Sequence, residues 1–206
     1  MTVDRHRENW QADATLSRRI LLGAALGFLA KPTALQAEET SNIALDYHGG
    51  RLYWPSGSAR AAIGKGGLRQ DKKEGDGATP LGTFRLPFGM YRQDRVKPPE
   101  TALPMIALRE GHAWVDDPND DKYNRLVELP YPAHAERLWR NDGIYDVLVV
   151  VDYNMSPAAR GAGSAIFLHI ARPRFTPTVG CVAVEREVLL RLLGKLGPQS
   201  TLTIRS

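Results

Sequence analysis

The sequence predicts a mainly β domain, a sandwich or barrel, with one helix near its C-terminal end. Glycine and proline supply 33 of 206 residues, about 16% against the roughly 12% of average usage, and this excess favours many turns between short strands. The apolar runs are short, rich in Val, Ile, Leu and aromatic residues, and bounded by turn residues, as strands are. Only residues 185–196 carry apolar side chains at helical spacing, whereas an alternating α/β fold needs several such stretches.

The elements follow in order. Residues 43–47 read as a strand, His48-Gly49-Gly50 as its turn, and 51–54 as the returning hairpin arm. Residues 61–64 read as a short strand entering a glycine-rich stretch, 65–77. That stretch lacks the patterns of a phosphate-binding loop and reads as a mobile surface loop. Residues 76–84 form a turn feeding a strand that continues through Arg85-Leu86, and 94–101 form a polar loop with two adjacent prolines. Residues 105–108 and 112–115 suggest a hairpin around Glu110-Gly111, with an acidic loop over 116–124.

The strongest strand is 145–153, where the continuous run Val147 to Val151 suits burial on both faces. A small-residue loop over 156–164 leads to a second buried strand, 165–170. In the helix over 185–196, Val188, Leu189, Leu192, Leu193 and Leu196 share one face, and Gly197-Pro198 stops it. Residues 201–204 close the chain as a last strand.

A length of 206 residues fits one ordinary domain plus a tail. With 43% hydrophobic and 24% charged residues, the composition excludes a disordered, collagen-like or coiled-coil chain. The net charge is only +4 and the basic residues are spread singly, apart from Arg18-Arg19 and Lys72-Lys73. A nucleic-acid partner is therefore not expected.

Residues 1–37 read as an export signal and 38–206 as the domain. A polar stretch ends in Arg18-Arg19, an apolar run of 11 residues follows (20–30), and Lys31-Pro32 breaks it. The run is short of the roughly 20 residues a spanning helix needs, so no stable membrane span is expected. The paired arginines point to the twin-arginine route, with cleavage after Ala37 and a periplasmic or cell-envelope destination. Removal of 1–37 leaves 22 basic against 20 acidic residues, a net +2.

Chemistry centres on Cys181, the only cysteine. It cannot form an internal disulfide or a cysteine-rich zinc site, so it is either a small buried hydrophobe or a thiol kept for its reactivity. An oxidising compartment penalises an idle exposed thiol. His169 ends a buried strand 12 residues earlier, where it can take the thiol proton. Gly180 permits close backbone approach, and the N–H groups of Gly180 and Cys181 are candidates for an oxyanion hole. The following helix N-terminus would favour a thiolate if it lay close enough.

Arg172 and Arg174 lie between base and nucleophile, as surface charges or as holders of a substrate carboxylate. Tyr153 and Asn154 end the preceding strand and are candidates to line the cleft. His48, His112 and His134 lack metal-ligand spacing and read as structural or exposed, and Trp139 as packing. Asp117, Asn119, Asp121 and Glu128 fall at calcium-loop positions, but Lys122 stands where that loop needs glycine, so an acidic surface loop is the reading.

Three segments together resemble one family: Ala78-Thr79-Pro80-Leu81-Gly82-Thr83-Phe84, His169 after a hydrophobic strand, and Thr178-Val179-Gly180-Cys181. Residues 43–206 are similar to the L,D-transpeptidase (YkuD-type) catalytic domain. The resemblance implies a β-sandwich-like fold and an enzyme of the bacterial envelope acting on peptidoglycan stem peptides. It implies Cys181 as nucleophile, His169 as base, and Thr178 and Gly180 as residues shaping the loop. Beside the resemblance, Thr178, Arg172 and Tyr153 are read from their positions as substrate-binding. No metal or organic cofactor is implied. Val179 stands where the family has a second histidine, Ala183 where a polar residue often follows the cysteine, and the spacer from His169 is shorter than in many members. A hydrolase would keep the same pair with water as acceptor, and a non-catalytic envelope-binding module would keep only the fold.

Overall fold

A computed structural model describes residues 42–206. The export-signal reading of 1–37 lies outside the described residues. Along the chain the first strands are β1 (Ala44–His48), β2 (Arg51–Trp54) and β3 (Gly57–Arg60). Gly49 and Gly50 have φ of 56° and 77°, the left-handed pair that a tight two-residue hairpin turn requires. Then come β4 (Leu68–Arg69), β5 (Thr79–Pro80), β6 (Gly82–Arg85), β7 (Gly89–Tyr91) and β8 (Met105–Ala107). β9 (His112–Val115), β10 (Leu126–Glu128) and β11 (Ala135–Arg137) form a small sheet in the order β10-β9-β11. The last elements are β12 (Val147–Val150), β13 (Phe167–Ile170), β14 (Val182–Val184), α1 (Arg186–Leu193) and β15 (Thr201–Ile204).

Two five-stranded sheets make the sandwich, ordered β3-β2-β1-β15-β6 and β14-β13-β12-β7-β8. The first and last strands among the described residues meet in the first sheet, where β15 lies parallel to β1 with Leu45 opposite Leu202. Between the sheets lies one apolar cluster. Leu45, Leu52, Leu202 and Ile204 enter it from one sheet, and Val147, Val149, Leu168, Val182 and Val184 from the other. α1 packs against β12 and β13 and adds Val188, Leu189, Leu192 and Leu193. Its helical spacing is as the sequence predicts, but it ends at Leu193, before the expected Gly197-Pro198 stop.

Strand alternation sends the other face of the second sheet elsewhere. Leu148, Val150, Phe167 and Cys181 join Met90, Trp114, Leu138, Ile144 and Tyr145 in a second cluster. β12 and β13 are therefore buried on both faces, which is why their sequences read as unbroken apolar runs.

Three expectations need correction. The strand expected at 61–64 is reduced to single bridges from Ala62 to Ala183 and from Gly64 to Thr178. The strand proper is β3, because the chain turns back at once after Pro55. The stretches 105–107 and 112–115 are both strands but not a hairpin: β8 runs parallel to β7, while β9 pairs with β10 and β11. His112 turns the chain locally, its N–H bonding the Arg109 carbonyl and its Nδ1 accepting the Arg109 N–H.

The glycine-rich stretch 65–77 is packed rather than a free surface loop. β4 pairs with β5, and Lys72 is buried with its Nζ donating to Asp76 Oδ1 at 2.8 Å and to the Lys73 carbonyl at 3.2 Å. Gly64 and Gly66 sit so close to the backbone of 76–78 that a Cβ would lie 2.2 Å and 2.5 Å from carbonyl oxygens. No helix among the described residues is long and apolar enough to cross a membrane.

Candidate active site

β13 and β14 run parallel, with Leu168 opposite Val182 and His169 opposite Ala183. The same register puts Cys181 beside Phe167, so Cys181 and His169 are diagonal neighbours on one face of the sheet. Both line one cleft of about 300 Å³, together with Glu74, Asp116, Glu136, Arg140, Ile144, Tyr145, Ser164, Ala165, Arg172, Thr178 and Val179.

The Cys181 thiol donates to the Ala165 carbonyl at 3.2 Å and accepts the Phe167 N–H at 3.3 Å. Burial pushes the thiol up to about 12, so it holds its proton at neutral pH. The His169 Nδ1 lies 2.9 Å from the Ile170 carbonyl. A carbonyl only accepts, so Nδ1 carries the proton and Nε2 presents a lone pair. Burial brings the imidazole down to about 4, which keeps it neutral. The resting site therefore pairs a neutral thiol with a neutral imidazole, and each is bonded to backbone rather than to the other.

The residues flanking Cys181 are fixed by two threonines. Thr178 Oγ1 donates to the Cys181 carbonyl at 2.6 Å and accepts the Gly180 N–H at 3.2 Å. Thr79 Oγ1 donates to the Gly180 carbonyl at 2.7 Å and accepts the Gly64 N–H at 2.9 Å. Gly180 has φ of 144°, and a Cβ there would lie 3.0 Å from the Ala78 carbonyl. Glycine is required at this position on both counts.

These bonds alter two expectations. The Gly180 N–H is occupied by Thr178 and is not a free oxyanion donor. Thr178 borders the cleft, but its hydroxyl is turned to the loop backbone rather than to a substrate. The helix N-terminus is also remote: β14 separates it from Cys181 by three residues, about 10 Å of strand, beyond the reach of a helix-end effect.

Arg172 is where the sequence reading puts it, at the cleft wall and half exposed. It shares Asp142 with Arg140: Arg140 Nη2 lies 2.7 Å and Arg172 Nη2 3.1 Å from Asp142 Oδ2. The Arg140 hydrogen bond holds the Asp142 carboxyl down at about 2. Tyr153 is not in the cleft. Its hydroxyl donates to the Ala162 carbonyl at 2.6 Å and its ring meets Phe84 edge-on, 5.5 Å between centroids. Asn154 caps the loop at Ala159 and Gly163, and Arg174 is exposed with φ of 62°. Trp139 packs under the Arg92 guanidinium, 3.5 Å from its ring centroid.

Several lining residues escape sequence reasoning. Tyr145 sets its ring edge-on to His169 at 5.3 Å and donates to Glu136 Oε1 at 2.9 Å. Burial lifts the Glu136 carboxyl above its ordinary value. Glu74 accepts from the Tyr123 hydroxyl at 2.5 Å. Carboxylates from 74, 116 and 136 thus share the cleft with two guanidinium groups. Val179, in the place of the family's second histidine, is 68% exposed at the rim.

The structure is thus a mainly β sandwich whose only cysteine among the described residues shares one charged cleft with a histidine. The family model for the L,D-transpeptidase catalytic domain (YkuD) matches residues 39–204, and the chain belongs to that family. Membership indicates L,D-transpeptidase-type catalysis on peptidoglycan. No curated protein matches the chain.

Proposed function

We propose that the protein is an exported cysteine acyltransferase that remakes peptide bonds of peptidoglycan stem peptides through a thioester on Cys181. The observation that carries this reading is the placement of Cys181 and His169 on one sheet face at the floor of a single cleft. Because the resting thiol is protonated, attack and proton transfer occur together.

His169 Nε2 takes the thiol proton as Sγ bonds to the carbonyl carbon of the stem's third residue. The carbon–nitrogen bond to the terminal D-amino acid then breaks, and the imidazolium returns the proton to the leaving amine. An amine of a second stem attacks the thioester and gives its proton to His169. The S–C bond breaks, and the thiol is restored. Water in the place of that amine makes the same cycle a hydrolysis. Arg172, with Arg140, supplies positive charge for a substrate carboxylate. Residues 1–37 direct export by the twin-arginine route to the periplasm or cell envelope.

Mass spectrometry tests this reading. The domain is mixed with a purified tetrapeptide muropeptide and a free D-amino acid, with Cys181→Ala as control. A cross-linked dimer or exchanged terminal residue, absent in the control, is the expected result. Loss of the terminal residue alone identifies a carboxypeptidase. Unchanged substrate overturns the reading in favour of a binding module.

A further inference from the structure

Three carboxylates line the cleft that holds Cys181 and His169, and they are not equally engaged. Glu74 uses both oxygens, Oε2 on the Tyr123 hydroxyl at 2.5 Å and Oε1 on the Gly75 N–H at 3.2 Å. Asp116 faces the His134 ring, with Oδ1 2.5 Å from Nδ1. Glu136 has no cationic partner among the described residues, where its carboxylate's only hydrogen bond is the one Oε1 accepts from Tyr145. The guanidinium groups at the cleft wall, Arg140 and Arg172, turn to Asp142 instead.

Glu136 stands in the middle of β11, half-buried and opposite Trp114 of β9. Buried Tyr145 joins it to the reacting pair: the hydroxyl holds Glu136 at 2.9 Å, and the ring meets His169 edge-on at 5.3 Å. Burial, and after it the Glu136 charge, hold the proton on Cys181. A carboxylate held partly out of water without a cation is costly, and a cationic ligand or a proton removes that cost. The acceptor of the reaction proposed above is an amine. Ordinary amines titrate at about 8 to about 10, so the acceptor arrives as an ammonium ion without a lone pair. It must lose one proton before it attacks and a second as it attacks, and His169 has one lone pair to receive them. Desolvation lowers an amine and raises a carboxyl, which brings the two closer, and burial lifts Glu136 in that direction.

We infer that Glu136 is the acceptor residue of the site: its carboxylate pairs with the incoming ammonium group and takes its surplus proton before the amine attacks the thioester. The inference rests on the acyltransferase reading above and adds a second proton acceptor to it. The first N–H bond to break leaves its electron pair on nitrogen and its proton on Glu136. As nitrogen bonds to the thioester carbon, its second proton passes to His169 Nε2. The C–S bond breaks, the imidazolium returns that proton to sulfur, and Glu136 loses its own to solvent. Water carries no surplus proton, so hydrolysis of the thioester bypasses Glu136.

The test compares wild type with Glu136→Gln, which keeps the shape and an acceptor for the Tyr145 hydroxyl. Each protein receives the tetrapeptide muropeptide with a free D-amino acid and hydroxylamine together, and mass spectrometry reads both products. Hydroxylamine is uncharged at neutral pH and attacks a thioester without first losing a proton. Both products come from one thioester, so any unfolded fraction cancels in their ratio. The expected result is a ratio of amino acid exchange to hydroxamate about 100-fold lower in Glu136→Gln. An unchanged ratio, or loss of both products alike, overturns the inference while the acyltransferase reading stands. A wild-type protein that forms hydroxamate but exchanges no amino acid is a hydrolase, which overturns the inference and keeps the thioester. A wild-type protein that forms neither product overturns the acyltransferase reading, and this inference with it.

Discussion

The imidazole of His169 is neutral because it is buried, and that neutrality has a cost in acid. Its pKa falls from the ordinary 6.5 to about 4 on folding. Between those values the unfolded chain binds a proton that the folded chain refuses, so stability decreases as pH falls through this window. The full effect is up to about 3 kcal/mol. Urea denaturation at pH 7.5 and pH 4.5 measures it, and His169→Gln should flatten the slope between them. Cys181 and His169 were legible in the sequence because their types and flanking motifs are local. Glu136, Arg140, Tyr145 and Ser164 were not, since only the tertiary fold gathers them around the thiol. Lys72 misled for a related reason: a lysine among glycines and charges reads as solvated, whereas here its stem crosses Gly163 and its ammonium is buried against Asp76.

Among the elements, β5 is only two residues long yet ties together distant parts of the loop around Cys181. Its Thr79 is wholly buried and bridges Gly64 to Gly180, 101 residues away from Thr79. Thr79→Val keeps the shape and removes both bonds, leaving a buried N–H and a buried carbonyl unpaired. Each orphan costs about 1–3 kcal/mol, so the urea midpoint should fall and turnover should fall with it, because the Gly180 turn loses its anchor. The hairpin at 43–54 was readable from alternation and a Gly-Gly turn. Residues 105–115 were not, because two strands adjacent in sequence can belong to different sheets, and only long-range pairing decides it. β14 escaped notice too, being three residues long and defined by its parallel partner β13.

For the whole molecule, the mainly β class was legible from turn density and strand composition, and so was the closing strand. The assignment of strands to sheets was not, nor was the sharing of β12 and β13 between two apolar clusters. Leu168 belongs to the cluster within the sandwich, and Leu168→Ala should lower stability by about 2–5 kcal/mol. The exchange rate per folded molecule should remain near wild type, with denaturation curves and active-thiol titration as the checks.

From Ile166 into β13, residues 166 and 168 face the sandwich while 167 and 169 face the side that holds the thiol. Parity along this one strand therefore partitions the mutational landscape. Even-numbered positions answer to folding alone, whereas the odd-numbered ones answer both to packing, as the wholly buried Phe167 does, and to the cleft, as His169 does. A lineage could retune the even positions for folding while the cleft face of the same strand stayed as it was.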